Sequence, residues 1–97
     1  MFAKGFYVTV ELRGKSSERS DELAAALLRL RDESLKEEGC SVFVVHRDLA
    51  DPSRFLLWER FADEAALKIH ATLPHTAAFS ALQLADAVQV YKTDILP

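Results

Sequence analysis

Ser41-Val-Phe-Val-Val-His-Arg-Asp48, the turn residues Asp51-Pro52-Ser53 and the segment Phe55-Leu-Leu-Trp-Glu-Arg-Phe61 form the stretch whose reading decides the fold. Each flanking segment has the length and the β-branched and aromatic content of a strand, and Asp-Pro-Ser between them is turn chemistry. A loop this short predicts an antiparallel hairpin. Alternation then sorts the side chains: Val42, Val44 and His46 fall on one face of the first strand, and Phe43 and Val45 on the other. In the second strand, Phe55, Leu57, Glu59 and Phe61 oppose Leu56 and Trp58. Strands apolar on both faces are covered on both faces.

Outward from this hairpin the pattern continues on either side. Phe6 to Arg13 alternates Phe6, Val8, Val10 and Leu12 with Tyr7, Thr9, Glu11 and Arg13, which predicts a half-buried strand. Gly14 ends it, Ser16 or Ser17 is positioned to cap a helix, and Leu23, Leu27, Leu30 and Leu35 recur near helical spacing. The opposite side carries Arg29, Arg31, Asp32, Glu33, Lys36 and Glu37, read as a solvated face, and Gly39 is expected to end the helix in a left-handed conformation. Asp63 is expected to cap a second helix over 65–72, interrupted by Pro74. A short further helix over about 75–84 follows, with Ala78, Phe79 and Leu82 on its buried side, and 87–94 alternates again as a last strand.

The order β-α-β-β-α-β predicts an α+β, ferredoxin-like fold: a four-stranded antiparallel sheet with its helices on one face, over 1–97 as one domain. A chain of 97 residues buries only about 60–65% of its unfolded surface, so a deep pocket is hard to build from it alone. Its helices can cover only one side of the two-faced sheet. A second copy of the same chain is therefore expected on the other side, as a homodimer.

Composition narrows the function classes. With 12 Lys plus Arg against 15 Asp plus Glu, a net charge of −3 and no basic run, the chain lacks the electrostatic footprint of a nucleic-acid or anionic-membrane binder. No apolar run approaches the ~20 residues that span a bilayer, and Met1 to Phe6 lacks the pattern of a secretion signal. The single cysteine, Cys40, has no intrachain disulfide partner. A cytoplasmic location is expected, with no nucleic-acid or membrane partner.

Chemically useful groups concentrate from the third strand onward: Trp58, Glu59, Arg60, His70, His75 and Phe79. Glu59 projects among apolar side chains, where a carboxyl must be paired, hydrogen-bonded or raised in pKa. Such a group suits a general base, and His70 on the next helix is the nearest partner in sequence. The alternative is an ion-paired Glu59 and a packing His70. The intervals His46 to His70 and His70 to His75 match no helical metal-ligand pair, so no metal is expected. Gly5, Gly14 and Gly39 are isolated and form neither a dinucleotide fingerprint nor a phosphate loop, so no cofactor is expected.

Glu38-Gly39-Cys40, Val45-His46-Arg47-Asp48, Asp51-Pro52-Ser53-Arg54-Phe55, Trp58-Glu59-Arg60-Phe61, Asp63-Glu64-Ala65-Ala66-Leu67, His70 and Pro74-His75-x-x-x-Phe79 together resemble, in this order, the antibiotic biosynthesis monooxygenase family. The resemblance spans nearly the whole chain and implies the dimeric α+β barrel, in which two ferredoxin-like sheets pack face to face. It also implies, as the leading activity, cofactor-independent oxidation of a small quinol or phenolic aromatic by dioxygen. The family's polyketide-oxidising and haem-degrading branches are known for an active-site Asn, and this sequence contains none.

On that resemblance the expected catalytic residues are Glu59, His70 and His75, and the expected substrate-binding residues are Trp58, Phe79 and Tyr91. Two other readings stay open. One is an isomerase of a small carbonyl or sugar-phosphate-like signal, since Ser53-Arg54-Phe55 and Thr72-Leu73-Pro74-His75 resemble that end of the family. The other is a non-catalytic dimer that binds a small apolar ligand.

Overall fold

The computed structural model describes residues 3–97. Met1 and Phe2, which entered the argument about a secretion signal, lie outside the described residues. The chain runs β1 (Phe6–Gly14), a 3₁₀ turn (Ser17–Arg19), α1 (Ser20–Ser34), β2 (Cys40–Arg47), β3 (Arg54–Phe61), α2 (Glu64–Thr72), α3 (Pro74–Ala81) and β4 (Ala85–Thr93). The strands form one antiparallel sheet in the order β2-β3-β1-β4. This is the ferredoxin-like arrangement, each helix segment joining strands that are not neighbours in the sheet.

The hairpin forms as its turn chemistry dictates. Asp48 and Asp51 fold their carboxylates back onto the amides of Ala50 and Ser53, at 2.9 and 3.0 Å, leaving β2 and β3 in register. Val44, Trp58, Thr9 and Tyr91 then form one rung across all four strands. The next rung on the other face is Val45, Leu57, Val10 and Val90, and the one after that on the same face is Phe43, Glu59, Val8 and Lys92.

The helices cover the second face. Leu23, Ala26, Leu27 and Leu30 of α1 pack with Val8, Leu12, Phe43, Phe55, Leu57 and Phe61 of the sheet, all buried. The first face stays open in the single chain, with Val44, Leu56, Trp58 and Tyr91 between 38% and 56% exposed.

Some local expectations change. The α-helix begins at Ser20, after the 3₁₀ turn, and Ser16 makes no side-chain cap. Asp63 does cap α2, accepting from Ala66 N at 2.8 Å. Gly39 is not left-handed. Its small size serves close packing instead, because a Cβ there would meet the Ala66 Cβ at 2.6 Å. On α3 only Phe79 is drawn into the core; Ala78 and Leu82 remain exposed.

Candidate functional site

The buried stripe of α1 runs Leu23, Leu27, Leu30, Ser34, in alternating steps of four and three. One more step reaches Glu37, just past the helix end. The turn there is closed by Glu37 N donating to Ser34 O (3.0 Å) and Cys40 N to Glu37 O (3.2 Å). These bonds hold Glu37 on the core side, its side chain only 10% exposed. The expectation of a solvated Glu37 is therefore corrected: helical periodicity continues through the turn and carries its carboxylate inward.

A buried carboxylate needs donors, and two imidazoles supply them. Nδ1 of His70 lies 2.7 Å, and Nε2 of His75 2.6 Å, from the same Glu37 Oε2. A carboxylate only accepts, so Nδ1 of His70 and Nε2 of His75 are the donors in these bonds. Such charge-assisted bonds are about twice as strong as neutral ones.

The two histidines meet because the helix breaks between them. Five residues apart on one continuous helix, they would point about 140° away from each other. Leu73 is extended (φ −75°, ψ 154°), Pro74 starts α3, and Thr76 Oγ1 donates to His70 O at 2.7 Å, tying the new helix to the end of the old one. The rings come to a centroid separation of 5.9 Å, with His70 also packed on Phe61 at 5.1 Å and Phe43 at 6.2 Å.

Glu59 lies on the same side of the sheet and is 5% exposed. Burial first, and then the charge of Glu37, push its carboxyl up to about 7. The proposed pairing of Glu59 with His70 is nevertheless corrected, since His70 hydrogen-bonds Glu37 instead. Sequence proximity misled here: the partner comes from the α1–β2 turn, which the fold lays against α2.

Trp58 and Tyr91 share the opposite, open face, away from His70 and His75. There the Trp58 ring meets that of His46 at a tilt of 49°, centroids 4.4 Å apart, and Trp58 borders a depression of about 200 Å³ that is also lined by Tyr7, Thr9, Val42, Glu59 and Thr93. Phe79, by contrast, stands with His75 on a cleft of about 320 Å³ between α1 and α3, lined by Ala26, Leu30, Ala78 and Leu82 and by the charged Arg29 and Glu33. The structure thus brings together His70, His75 and the unforeseen Glu37, with Glu59 on the same side of the sheet and Phe79 on the adjoining cleft.

The sequence profile of the antibiotic biosynthesis monooxygenase family matches residues 5–82. The chain belongs to that family. Among its relatives, the uncharacterised protein YjcS of Bacillus subtilis is 32% identical over 91 residues, covering 92% of this chain and 85% of YjcS. A solved structure of a protein named YJCS superposes on this family member with a TM-score of 0.85 at 28% identity, covering 94% of this chain and 98% of that one. PA3566 from Pseudomonas aeruginosa shares the fold, with a TM-score of 0.88 at 23% identity over 100% of this chain and 99% of that one. The ferredoxin-like topology described above is the one shared with these structural neighbours.

Proposed function

We propose that this chain is a small monooxygenase that oxidises a phenolic or quinol-type aromatic with dioxygen, working as a homodimer. The observation that carries the reading is the buried His70–Glu37–His75 cluster, whose His75 also lines the α1–α3 cleft. At about 320 Å³ that cleft sits at the small end of ligand pockets and suits one or two fused rings.

Its chemistry follows from the site. Nδ1 of His75 accepts the phenolic proton, and Glu37 steadies the resulting imidazolium, as a buried carboxylate does for a general-base histidine. Ala26, Leu30, Ala78 and Leu82 give the phenolate an apolar bed beside Arg29 and Glu33, and the anion is electron-rich toward dioxygen. One oxygen atom becomes a new ring carbonyl, and the other leaves as water with the hydrogens of the O–H and the ring C–H. Glu59, with its carboxyl near pH 7, is suited to exchanging the proton between turnovers.

The dimer reading rests on the open face, where Val44, Leu56, Trp58 and Tyr91 make an apolar patch opposite the helices. Contiguous exposed apolar surface of this kind marks an interaction site.

The test is oxygen uptake by metal-stripped protein over a panel of phenols and quinols. Substrate-dependent uptake that falls about 10²–10⁴-fold in His75→Ala supports the reading. Conversion without oxygen uptake would point to an isomerase and overturn it, as would binding of the panel with no turnover.

A further inference from the structure

We propose that Glu37, His70 and His75 form a binding site for one divalent first-row transition ion, with Zn²⁺ and Co²⁺ as its representative probes. The site is distinct in kind from the base described above: it uses the same side chains, but in the opposite tautomers and as ligands.

Three observations carry it. First, the donors arrive from three separate elements, the turn after α1, α2 and α3, and their ligand atoms all lie within 4.8 Å of one another. Second, the donors are shielded, with side-chain exposures of 10%, 9% and 19% for Glu37, His70 and His75. His70 is further fixed by the rings of Phe61 and Phe43. Third, the set is chemically selective. Two imidazole nitrogens and one carboxylate oxygen suit Zn²⁺, Fe²⁺, Co²⁺ or Ni²⁺, whereas Mg²⁺ and Ca²⁺ want an all-oxygen shell.

The geometry needs a small adjustment. With bonds of about 2.0–2.2 Å to nitrogen and oxygen, a tetrahedral ion spaces its ligand atoms roughly 3.3 Å apart, against the 2.6 and 2.7 Å of the present hydrogen bonds. Loading the ion therefore requires Glu37 Oε2 to back away from both rings, and the two ring nitrogens, within 4.8 Å of each other, to settle at the same spacing. Three protein ligands leave the fourth position for water or a small ligand, the pattern of an open rather than a closed site.

Binding rearranges the protons on the two rings. Nδ1 of His70 and Nε2 of His75 now carry hydrogen toward Glu37; to ligate, each ring moves its proton to its other nitrogen and offers a lone pair to the ion. Nδ1 of His75 then holds a proton and no longer accepts one. The ion and the general base therefore exclude each other, so that on the functional reading above, on which this one consequence rests, a bound ion silences phenol deprotonation.

The experiment measures binding without substrate. Tag-free, chelator-stripped full-length protein is titrated calorimetrically with Zn²⁺, and in parallel with Co²⁺ while its visible absorption is recorded. The expected result is one ion per chain and, for Co²⁺, the intense bands of a four-coordinate site. His75→Ala should weaken Zn²⁺ binding by at least about 100-fold, while His46→Ala, on the other face of the sheet, and Cys40→Ser leave it unchanged.

Circular dichroism checks that the variants fold. If His75→Ala is unfolded, Glu37→Gln and the ion-induced rise in the wild-type melting temperature decide in its place. Absence of 1:1 binding, affinity undiminished in folded His75→Ala or Glu37→Gln, or affinity lost in Cys40→Ser would each overturn the proposal. Oxygen uptake by the stripped protein is a separate measurement, so a failed oxygenase reading and a failed metal site give different results.

Discussion

Gly39 lies so close to Ala66 that a Cβ built on it would stand 2.6 Å from the Ala66 methyl. The contact presses the α1–β2 turn against α2, and that turn is what carries Glu37 to His70. Side-chain volume at position 39 is therefore tied to the geometry of the site, two residues away.

Gly39→Ala should destabilise the fold by about 1–3 kcal/mol, the usual cost of forcing extra volume into a packed contact. Its partner is identifiable, so the loss should be partly recovered in Gly39→Ala with Ala66→Gly, less the roughly 1 kcal/mol that a helical glycine costs. Urea unfolding of the two single variants and the double variant gives the coupling. Additive effects would show that the contact is not the cause.

Glu59 makes stability depend on pH. The folded chain keeps its carboxyl proton up to about pH 7, while the ordinary value is near 4.5. Between these values the folded state binds more protons than the unfolded one, so stability falls as pH rises. The contribution is fully present below about pH 4.5 and lost above 7, a difference on the order of 3 kcal/mol. Glu59→Gln keeps the shape and removes the titration. It should flatten the decline between pH 5 and 8 relative to wild type and be the more stable protein at pH 8. Parallel pH profiles for the two, measured by urea unfolding in the presence of a chelator, would contradict this.

Cys40 is 5% exposed, and burial, reinforced by the charges of Glu37 and Glu59, pushes its thiol up to about 12. At pH 8 only about one molecule in ten thousand would hold the reactive thiolate, against roughly a quarter for an ordinary thiol. A disulfide reagent should therefore label the native protein only at the rate at which it opens, and label it rapidly in urea. Prompt stoichiometric labelling of the native state would be the contrary result.

What the sequence revealed and what it hid divide along physical lines. The alternation of Val42, Phe43, Val44 and Val45 is a local property of a pleated strand, and it assigned faces that the register bears out. Asp63 as a cap is local in the same way. That alternation also put Trp58 and Glu59 on opposite faces of β3, although both residues line the depression beside Tyr7 and Thr93. Glu37 was hidden because its neighbours are charged, although the steps from Leu23 through Ser34 point to it. His70 and His75 failed a spacing test that presumes one helix, and the break at Leu73 removes that premise. The close approach of Gly39 to Ala66 joins two elements far apart in sequence, which no local pattern records.

The open face of the sheet makes the last prediction. Val44, Trp58, Thr9 and Tyr91 form one rung on it, and Trp58 remains 47% exposed in the single chain. Covering such a patch with its own copy would bury an aromatic anchor near the centre of a two-fold interface, where truncation characteristically costs 2 kcal/mol or more. Wild-type protein should therefore sediment as a dimer at micromolar concentration. Trp58→Arg puts a charge at that centre without touching the helix-covered face, so it should shift the protein toward monomer while its far-ultraviolet circular dichroism stays that of the wild type. A wild-type monomer, or a Trp58→Arg variant that still dimerises with the same affinity, would mean that this face meets something other than a second copy.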